Sequence, residues 1–338
     1  MNIVVLAGGL SSERDVSLAT GGQIANALTG NGHKILLVDC YIGLSQLDTF
    51  ENLYAKYKKE DYTYKIPDTP PDLSEIKRKY GDGDALIGKN VLEVCKMADC
   101  VFIGLHGAIG ENGQLQAMFD IYGIRYTGSG YIGCLLSMDK AISKEIMAVN
   151  NIPTAPYLVM NMADLQTCEM ELPYVVKPCN GGSSIGVTLV KTKEDVEEAL
   201  SLAQIYDDKF LIEKYIAGRE LSVGVLDGEA LPAIEIIPPN DAEFFDFSSK
   251  YQGTTSEVCP ADIPEELEMK MRELALKVHK ALRLEKYSRT DFIVDEQGVI
   301  YCLEANSLPG LTANSLLPQE AREAGIGYGE LCERIVGL

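Results

Sequence analysis

Four residues near the C-terminal end, Arg289, Asp291, Glu304 and Asn306, have the types and spacing that imply chemistry most directly. They lie in two apolar runs on either side of a turn at 295–298, which reads as a β-hairpin. If Gln297-Gly298 form a two-residue turn, Glu296 pairs with Val299. Counting outward, Asp291 then faces Glu304 and Arg289 faces Asn306. Side chains alternate along a strand, so all four would share one face. A three-residue loop would slip the register by one and separate them. Two facing carboxylates repel unless a cation lies between them. Hard oxygen ligands with a carboxamide suit Mg²⁺, which takes a few carboxylates plus substrate phosphates. Taken alone, the hairpin fits a solvated polar face equally well, and the loops around it decide for function.

The first of these loops runs from Lys177 through Gly181-Gly182-Ser183-Ser184 to Gly186, between two strand-like segments. Glycines let the backbone close around an anion, and consecutive N–H groups form a nest. The serine hydroxyls add donors and Lys177 adds charge. No Gly-Lys-Ser/Thr opens a helix here, so this is not a Walker A motif. Lys140 stands at the start of a helical segment. Glu213, Tyr215 and Ile216 close a strand with an acid, a ring and an aliphatic side chain, a combination that holds a nucleobase and ribose as readily as it ends an ordinary strand.

The elements that must position these groups follow from periodicity. Residues 2–7 read as a buried strand, Gly8-Gly9 as a turn, 11–28 as a helix and 34–40 as a second strand. That order gives a parallel α/β sheet. Residues 45–83, with Pro67, Pro70-Pro71 and Gly81, read as an irregular excursion. Strands at 98–105 and 125–127 flank a helix at 114–122, and a helix over 138–150 marks a change of domain. The second half is richer in strands, at 172–178, 186–190, 209–215, 220–226 and 230–237, with helices at 193–205 and 265–282. Residues 238–260 lack a clear period and read as a functional loop.

The length of 338 residues fits two or three domains. The formal net charge of -20 argues against nucleic acid and anionic membranes as partners, because the overall field repels phosphate. Any phosphate site must be built locally. No apolar run reaches the ~20 residues a bilayer span needs, and no basic leader precedes the first strand. Nine cysteines without a CxxC pair read as free thiols in a reducing cytoplasm. With only three histidines (33, 106 and 279), the sequence argues against a histidine metal site.

Together these segments resemble the D-alanine–D-alanine ligase family of the ATP-grasp superfamily. The motifs are Gly-Gly-Leu-Ser-Ser-Glu13, Leu-His106-Gly, Tyr-Thr-Gly-Ser-Gly, Met-Asp-Lys140, Lys177 through Gly186, Lys250-Tyr251, Arg289-Thr-Asp291 and Leu-Glu304-Ala-Asn306-Ser-Leu-Pro-Gly310. Each is weak alone, but their order is specific, and only 41–90 lacks one. The resemblance implies an α/β chain, α+β in its C-terminal half. It pairs an N-terminal Rossmann-like parallel-sheet domain (1–128) with a two-part ATP-grasp fold. The central part (129–212) carries the phosphate loop, and the C-terminal part (213–338) carries the mobile loop and metal site.

By motif match, Lys140, Lys177, Ser183, Ser184, Glu213, Tyr215, Ile216, Glu220, Phe244 and Lys250 would bind ATP. Asp291, Glu304 and Asn306 would hold two Mg²⁺, for which Mn²⁺ substitutes. Glu13, with His106 close by, would take the ammonium of the first D-alanine. Lys250, Ser315 and Leu316 would hold the second substrate's carboxylate. Arg289 and the Gly310 N–H would stabilise the tetrahedral oxyanion, and Glu13, Ser183 and Tyr251 would form a hydrogen-bonded triad. The expected partners are D-alanine and ATP, and the expected assembly is a cytoplasmic homodimer.

Some positions bear on what this chain does with that scaffold. Ser288 stands where the family commonly has glycine. Phe245 and Phe247 stand where a tyrosine is frequent. Cys179 lies in the phosphate loop, which predicts inhibition by thiol modification. D-alanine–D-lactate ligases resemble this chain but carry histidine for Tyr251, which points here to an amine nucleophile. D-alanine–D-serine ligases alter the second pocket, where Ser315-Leu316 matches the D-alanine form. A non-catalytic ATP-binding sensor would lack a catalytic element, and none of those named is missing.

Overall fold

The computed structural model describes all residues except 68, 162–169, 183–184, 239–254 and 338, and for Ala108 only the backbone. The chain divides into two compact units. The first comprises Met1–Cys134, Glu285–Tyr287 and Ser307–Leu338, and the second comprises Leu135–Leu284 and Ser288–Asn306.

In the first unit, β1 (Asn2–Ala7), β2 (Lys34–Asp39) and β3 (Cys100–Ile103) form a parallel sheet in the order β2-β1-β3. A strand buried on both faces needs a continuous apolar run, and Ile3 through Ala7 are fully buried. Gly8 and Gly9 turn the chain with φ of 71° and 80°, in the left-handed region. The turn is tied down by Ser17, whose hydroxyl accepts from the Gly8 N–H, and by Arg14, whose guanidinium donates to the Gly9 carbonyl and pairs with Asp39. The Arg14–Gly30 helix packs closely on the sheet through its small residues. A Cβ on Gly21 would lie 2.5 Å from the Ala7 methyl.

Two features of this unit differ from the expectation. Residues 45–83 are not wholly irregular: Phe50–Tyr57 and Leu73–Tyr80 are helices, started by Thr49 and Asp72, whose side chains accept from the Asn52 and Glu75 N–H groups. The strand expected at 125–127 is reduced to a single bridge between Tyr126 and Val101. The C-terminal helices Leu316–Glu323 and Tyr328–Val336 belong to this unit. Asn31 donates to the Gly329 carbonyl and His33 meets Glu333 at 2.8 Å.

The second unit holds two sheets. One is antiparallel and four-stranded, in the order β4-β7-β5-β6, from β4 (Tyr157–Asn161), β5 (Tyr174–Pro178), β6 (Thr188–Val190) and β7 (Lys209–Lys214). The other runs β11-β10-β8-β12-β13 with β9 paired to β8. Its strands are β8 (Gly218–Leu226), β9 (Glu229–Ala230), β10 (Ile234–Ile237), β11 (Ser256–Val258), β12 (Tyr287–Asp295) and β13 (Ile300–Asn306).

Alternation sorts the side chains of each sheet. Tyr174, Val176, Phe210 and Ile212 form a core with the Val196–Gln204 helix, leaving Val175, Lys177 and Glu213 on the opposite face. Leu221, Val223, Phe292 and Val294 pack with Met271, Ala275 and Val278 of the Glu265–Ala281 helix. That leaves Glu220, Asp291 and Ile293 facing a cleft.

Candidate active site

The hairpin is built differently from the sequence expectation but reaches the same pairing. Asp295 donates its N–H to Val299 and accepts from the Gly298 N–H, which makes 296–298 a three-residue loop. Gly298 has φ 77°, the left-handed residue such a loop requires. The Asp295 carboxylate steadies the turn by accepting from the Gln297 and Val299 N–H groups. The near end of the ladder is therefore shifted by one, with Val294 opposite Ile300 and Phe292 opposite Cys302. A β-bulge then absorbs one residue on β13, Leu303, and beyond it Asp291 faces Glu304 and Arg289 faces Asn306. The bulge also breaks the alternation, so Leu303 and Glu304 both line the cleft while Cys302 and Ala305 stay in the core.

Each of the two facing carboxylates has its own cation. The Arg289 guanidinium forks onto Asp291, with Nε–Oδ1 and Nη2–Oδ2 both 2.8 Å. Ser222 on β8 donates to Oδ1 at 2.8 Å and the Asn306 amide to Oδ2 at 3.1 Å. Glu304 lies 3.6 Å from the Lys140 ammonium, which also donates to the Gly181 carbonyl at 2.5 Å. Lys140 is placed by Asp139, which caps the Lys140–Val149 helix by accepting from the Ile142 N–H. Among the described residues, no group of three or more His, Cys, Asp or Glu side chains is arranged to hold a metal. Any cation at the hairpin is thus offered two carboxylates and a carboxamide.

A cleft lies between the two sheets. Its walls are apolar at Val175, Ile216, Ile293 and Leu303, and cationic at Lys140 and Lys177. Gly181 and Gly182 of the phosphate loop, Tyr215 and Glu220 complete it. The expected nucleotide contacts Lys140, Lys177, Glu213, Tyr215, Ile216 and Glu220 all converge here. Ser183, Ser184, Phe244, Lys250 and Tyr251 lie outside the described residues.

One residue at the centre of this unit was not singled out from the sequence. Lys144 is only 1% exposed and donates to the Glu213 carboxylate, the Thr154 hydroxyl and, at 3.1 Å, the Cys302 carbonyl. Lys177 takes the other Glu213 oxygen at 2.7 Å. Burial, the largest single influence on Glu213, raises its pKa, but the charges and hydrogen bonds of Lys144 and Lys177 together outweigh it and the net direction is down. For Lys177, burial lowers the pKa and Glu213 more than restores it, so the net direction is up. The signal for Lys144 was present in the sequence: it stands four residues after Lys140 on one helix and so shares its face.

The remaining site residues are in the first unit. Glu13 is buried at the start of the Arg14–Gly30 helix, beside Gly107. His106 is buried, with Nε2 3.0 Å from the Thr20 hydroxyl and Nδ1 3.8 Å from Glu111. Ser11 donates to the His106 carbonyl, which joins the two loops. Gly310 and Ser315 are adjacent, and a Cβ on Gly310 would lie 2.9 Å from the Ser315 hydroxyl. Ser315 precedes the helix that begins at Leu316, and Gln23 on the Glu13-bearing helix accepts from the Ala313 N–H.

Two of the notable positions acquire physical accounts. Ser288 is fully buried and meets His279 Nδ1 at 2.7 Å, so its hydroxyl is satisfied where a glycine would have none. Cys179 does not fit the expectation of a reactive thiol. It is fully buried against Ala141 and Leu211, and burial pushes its pKa up to about 12. Iodoacetamide at pH 8 is therefore expected to leave Cys179 unmodified in the folded protein and to label it only in denaturant, as peptide mass mapping would report. Stoichiometric labelling of folded protein at Cys179 would contradict this.

Two antiparallel sheets around a lysine-lined cleft, with paired carboxylates on a hairpin at its edge, define the class as an ATP-grasp fold. Family models agree, with D-ala D-ala ligase N-terminus matching residues 2–129 and D-ala D-ala ligase C-terminus matching residues 146–337. The chain is 43% identical to a D-alanine–D-alanine ligase of Pediococcus pentosaceus, covering 99% of this chain and 97% of that one. Among solved structures it resembles D-alanine–D-alanine ligase from Bacillus anthracis complexed with ATP (TM-score 0.74, 30% identity, 99% and 96% covered). It also resembles the VanG D-Ala:D-Ser ligase from Enterococcus faecalis (TM-score 0.76, 25% identity, 100% and 99% covered). The chain belongs to the D-alanine–D-alanine ligase family.

Proposed function

We propose that this protein joins two D-alanine molecules into D-alanyl-D-alanine at the expense of ATP, for peptidoglycan precursor synthesis. The observation that carries the reading is the pairing of Asp291 with Glu304 at the mouth of a cleft lined by Lys140 and Lys177, in a chain so similar along its length to a ligase of that name. A carboxylate is a poor electrophile. Transfer of the terminal phosphoryl group to the first D-alanine gives an acyl phosphate. The amine of the second D-alanine then attacks, forming the C–N bond and releasing phosphate.

The side chains have the charges this sequence needs. Lys140 and Lys177 neutralise the phosphates, and the apolar walls take the base. Arg289 and the Gly310 N–H hold the oxyanion of the tetrahedral intermediate, Glu13 with His106 holds the first ammonium, and Ser315 with Leu316 and Lys250 holds the second carboxylate. Ser183, Ser184 and Phe244 complete the nucleotide site, and Tyr251 joins Glu13 and Ser183. The working parts are 1–128, 129–212 and 213–338.

The hairpin suits Mg²⁺, with Mn²⁺ as a substitute, because its donors are two carboxylates and a carboxamide, fewer than an all-protein cage and right for an ion that keeps water and phosphate ligands. Asp291, Glu304 and Asn306 would hold two such ions, which when bound would withdraw charge from the transferring phosphoryl group. The reading makes the enzyme a cytoplasmic homodimer. The eight cysteines among the described residues are free thiols, which suits a reducing compartment, and no described helix is long and apolar enough to cross a membrane.

The test is ADP and phosphate release with MgATP and D-alanine alone, or with D-serine or D-lactate added, and products identified by mass. D-alanine alone is expected to suffice. Turnover only with D-serine or D-lactate present would move the assignment to those ligases, and nucleotide binding without any turnover would favour the sensor.

A further inference from the structure

Lys144 has three N–H donors and three acceptors, and each acceptor belongs to a different part of the second unit. Glu213 is near the end of β7 in the four-stranded sheet. Cys302 is on β13 of the other sheet, directly before the bulge at Leu303. Thr154 lies in the segment that leads into β4 and itself donates to the Cys302 carbonyl at 2.9 Å. The neighbouring Cys302 N–H donates to the Pro153 carbonyl at 2.8 Å, so the outer edge of β13 is fastened to the same segment. With 1% exposure Lys144 does not line the cleft, yet its partners are residues that line it or stand next to ones that do. Glu213 lines it with Tyr215 and Ile216. The Cys302 carbonyl immediately precedes Leu303 and Glu304, which line it too.

We propose that Lys144 is a positioning residue that holds the Glu213 carboxylate and the bulged strand in fixed relation, so that the base pocket and the acidic hairpin address one nucleotide together. The proposal rests on the nucleotide reading of the cleft. A saturated ammonium fixes direction as well as charge. One Glu213 oxygen is committed to Lys144, which leaves the other for Lys177 and so sets where that lysine's charge lies in the cleft. Pulling the Cys302 carbonyl toward the same nitrogen holds the strand at the one place where its ladder is irregular.

The test uses Lys144→Met and Thr154→Val in the full chain. MgADP affinity is measured by calorimetry, with steady-state kinetics alongside. Lys144→Met is expected to weaken MgADP binding and raise KM for ATP by about 10-fold or more, and to raise the Mg²⁺ concentration for half-maximal rate, while KM for D-alanine stays within about 2-fold. Thr154→Val keeps the ion pair and removes one tie to Cys302, and is expected to shift the same two quantities by about 3-fold.

A purely structural lysine would lower the melting temperature and leave these constants alone. Folded Lys144→Met with parental nucleotide affinity overturns the proposal. If Lys144→Met does not fold, parental affinity in Thr154→Val overturns it. Failure of the ligase reading itself would show separately, as an unmodified protein that binds MgADP without D-alanine-dependent turnover.

Discussion

Glu304→Gln is expected to lower kcat by about 100-fold or more while leaving the fold intact. Glu304 is partly exposed at the cleft and faces Asp291 across the hairpin, with the Lys140 ammonium 3.6 Å away. Glutamine keeps the size and one oxygen but removes the charge that would neutralise a divalent cation. Stabilising charge on a transferring phosphoryl group supplies several kcal/mol, and each ~1.4 kcal/mol is tenfold in rate. Asp291→Asn is a less clean probe. Asp291 is buried and bonded to Arg289, Ser222 and Asn306, so removing its charge also leaves the Arg289 guanidinium without its forked partner. The clean outcome is therefore a kcat loss in Glu304→Gln with a melting temperature near the parent's. A variant turning over within a few-fold of the parent at saturating Mg²⁺ would remove Glu304 from the metal site.

The hairpin also shows how a sequence can lead to the right contact by an incorrect route. In the sequence Gln297-Gly298 reads as a two-residue turn, and the Asp295 side chain makes the loop three residues. A three-residue loop alone would slip the register and place Asp291 opposite Leu303. The bulge cancels it, and no periodicity announces the bulge, because Leu303 reads as an ordinary strand residue until both it and Glu304 are seen facing the cleft. Strands and long helices were legible because their periods of 2 and 3.6 are written in the apolar residues. The helices at Phe50–Tyr57 and Leu73–Tyr80 were not, since each is two turns long and depends on one capping side chain. Motif order led to the family. Burial is what the sequence withheld: Lys144 and Cys179 look like a surface lysine and a loop thiol, and each is decided by which elements close over it.

The other large effect concerns stability. Glu213→Gln leaves two ammonium groups, Lys144 and Lys177, beside an uncharged amide, with Lys144 fully enclosed. Removing one partner from a buried ion pair costs about 3–5 kcal/mol, which for a unit of this size lowers the melting temperature by about 6–20 °C. The double variant Lys144→Met/Glu213→Gln has no such enclosed charge, and should recover about 1–3 kcal/mol relative to the sum of the single variants. The sign of the pH dependence checks the cause.

In the parent, the Glu213 pKa is lowered, so its contribution is complete above the ordinary glutamate value and is lost as pH falls through the folded value. The Lys177 pKa is raised, so its contribution is complete below about 10.4 and is lost as pH rises through the folded value. Near neutrality the Glu213 and Lys177 contributions in the parent are therefore both complete. In Glu213→Gln, Lys177 keeps the burial that lowers its pKa and loses the Glu213 charge and hydrogen bond that raise it. The unfolded chain then binds more protons than the folded one, and stability rises with pH. Urea unfolding at pH 7 and pH 9.5 should accordingly show the deficit of Glu213→Gln shrinking at the higher pH. A deficit independent of pH, with single-variant effects that simply add, would mean that Glu213 and its two lysines are held by packing and not by each other's charge.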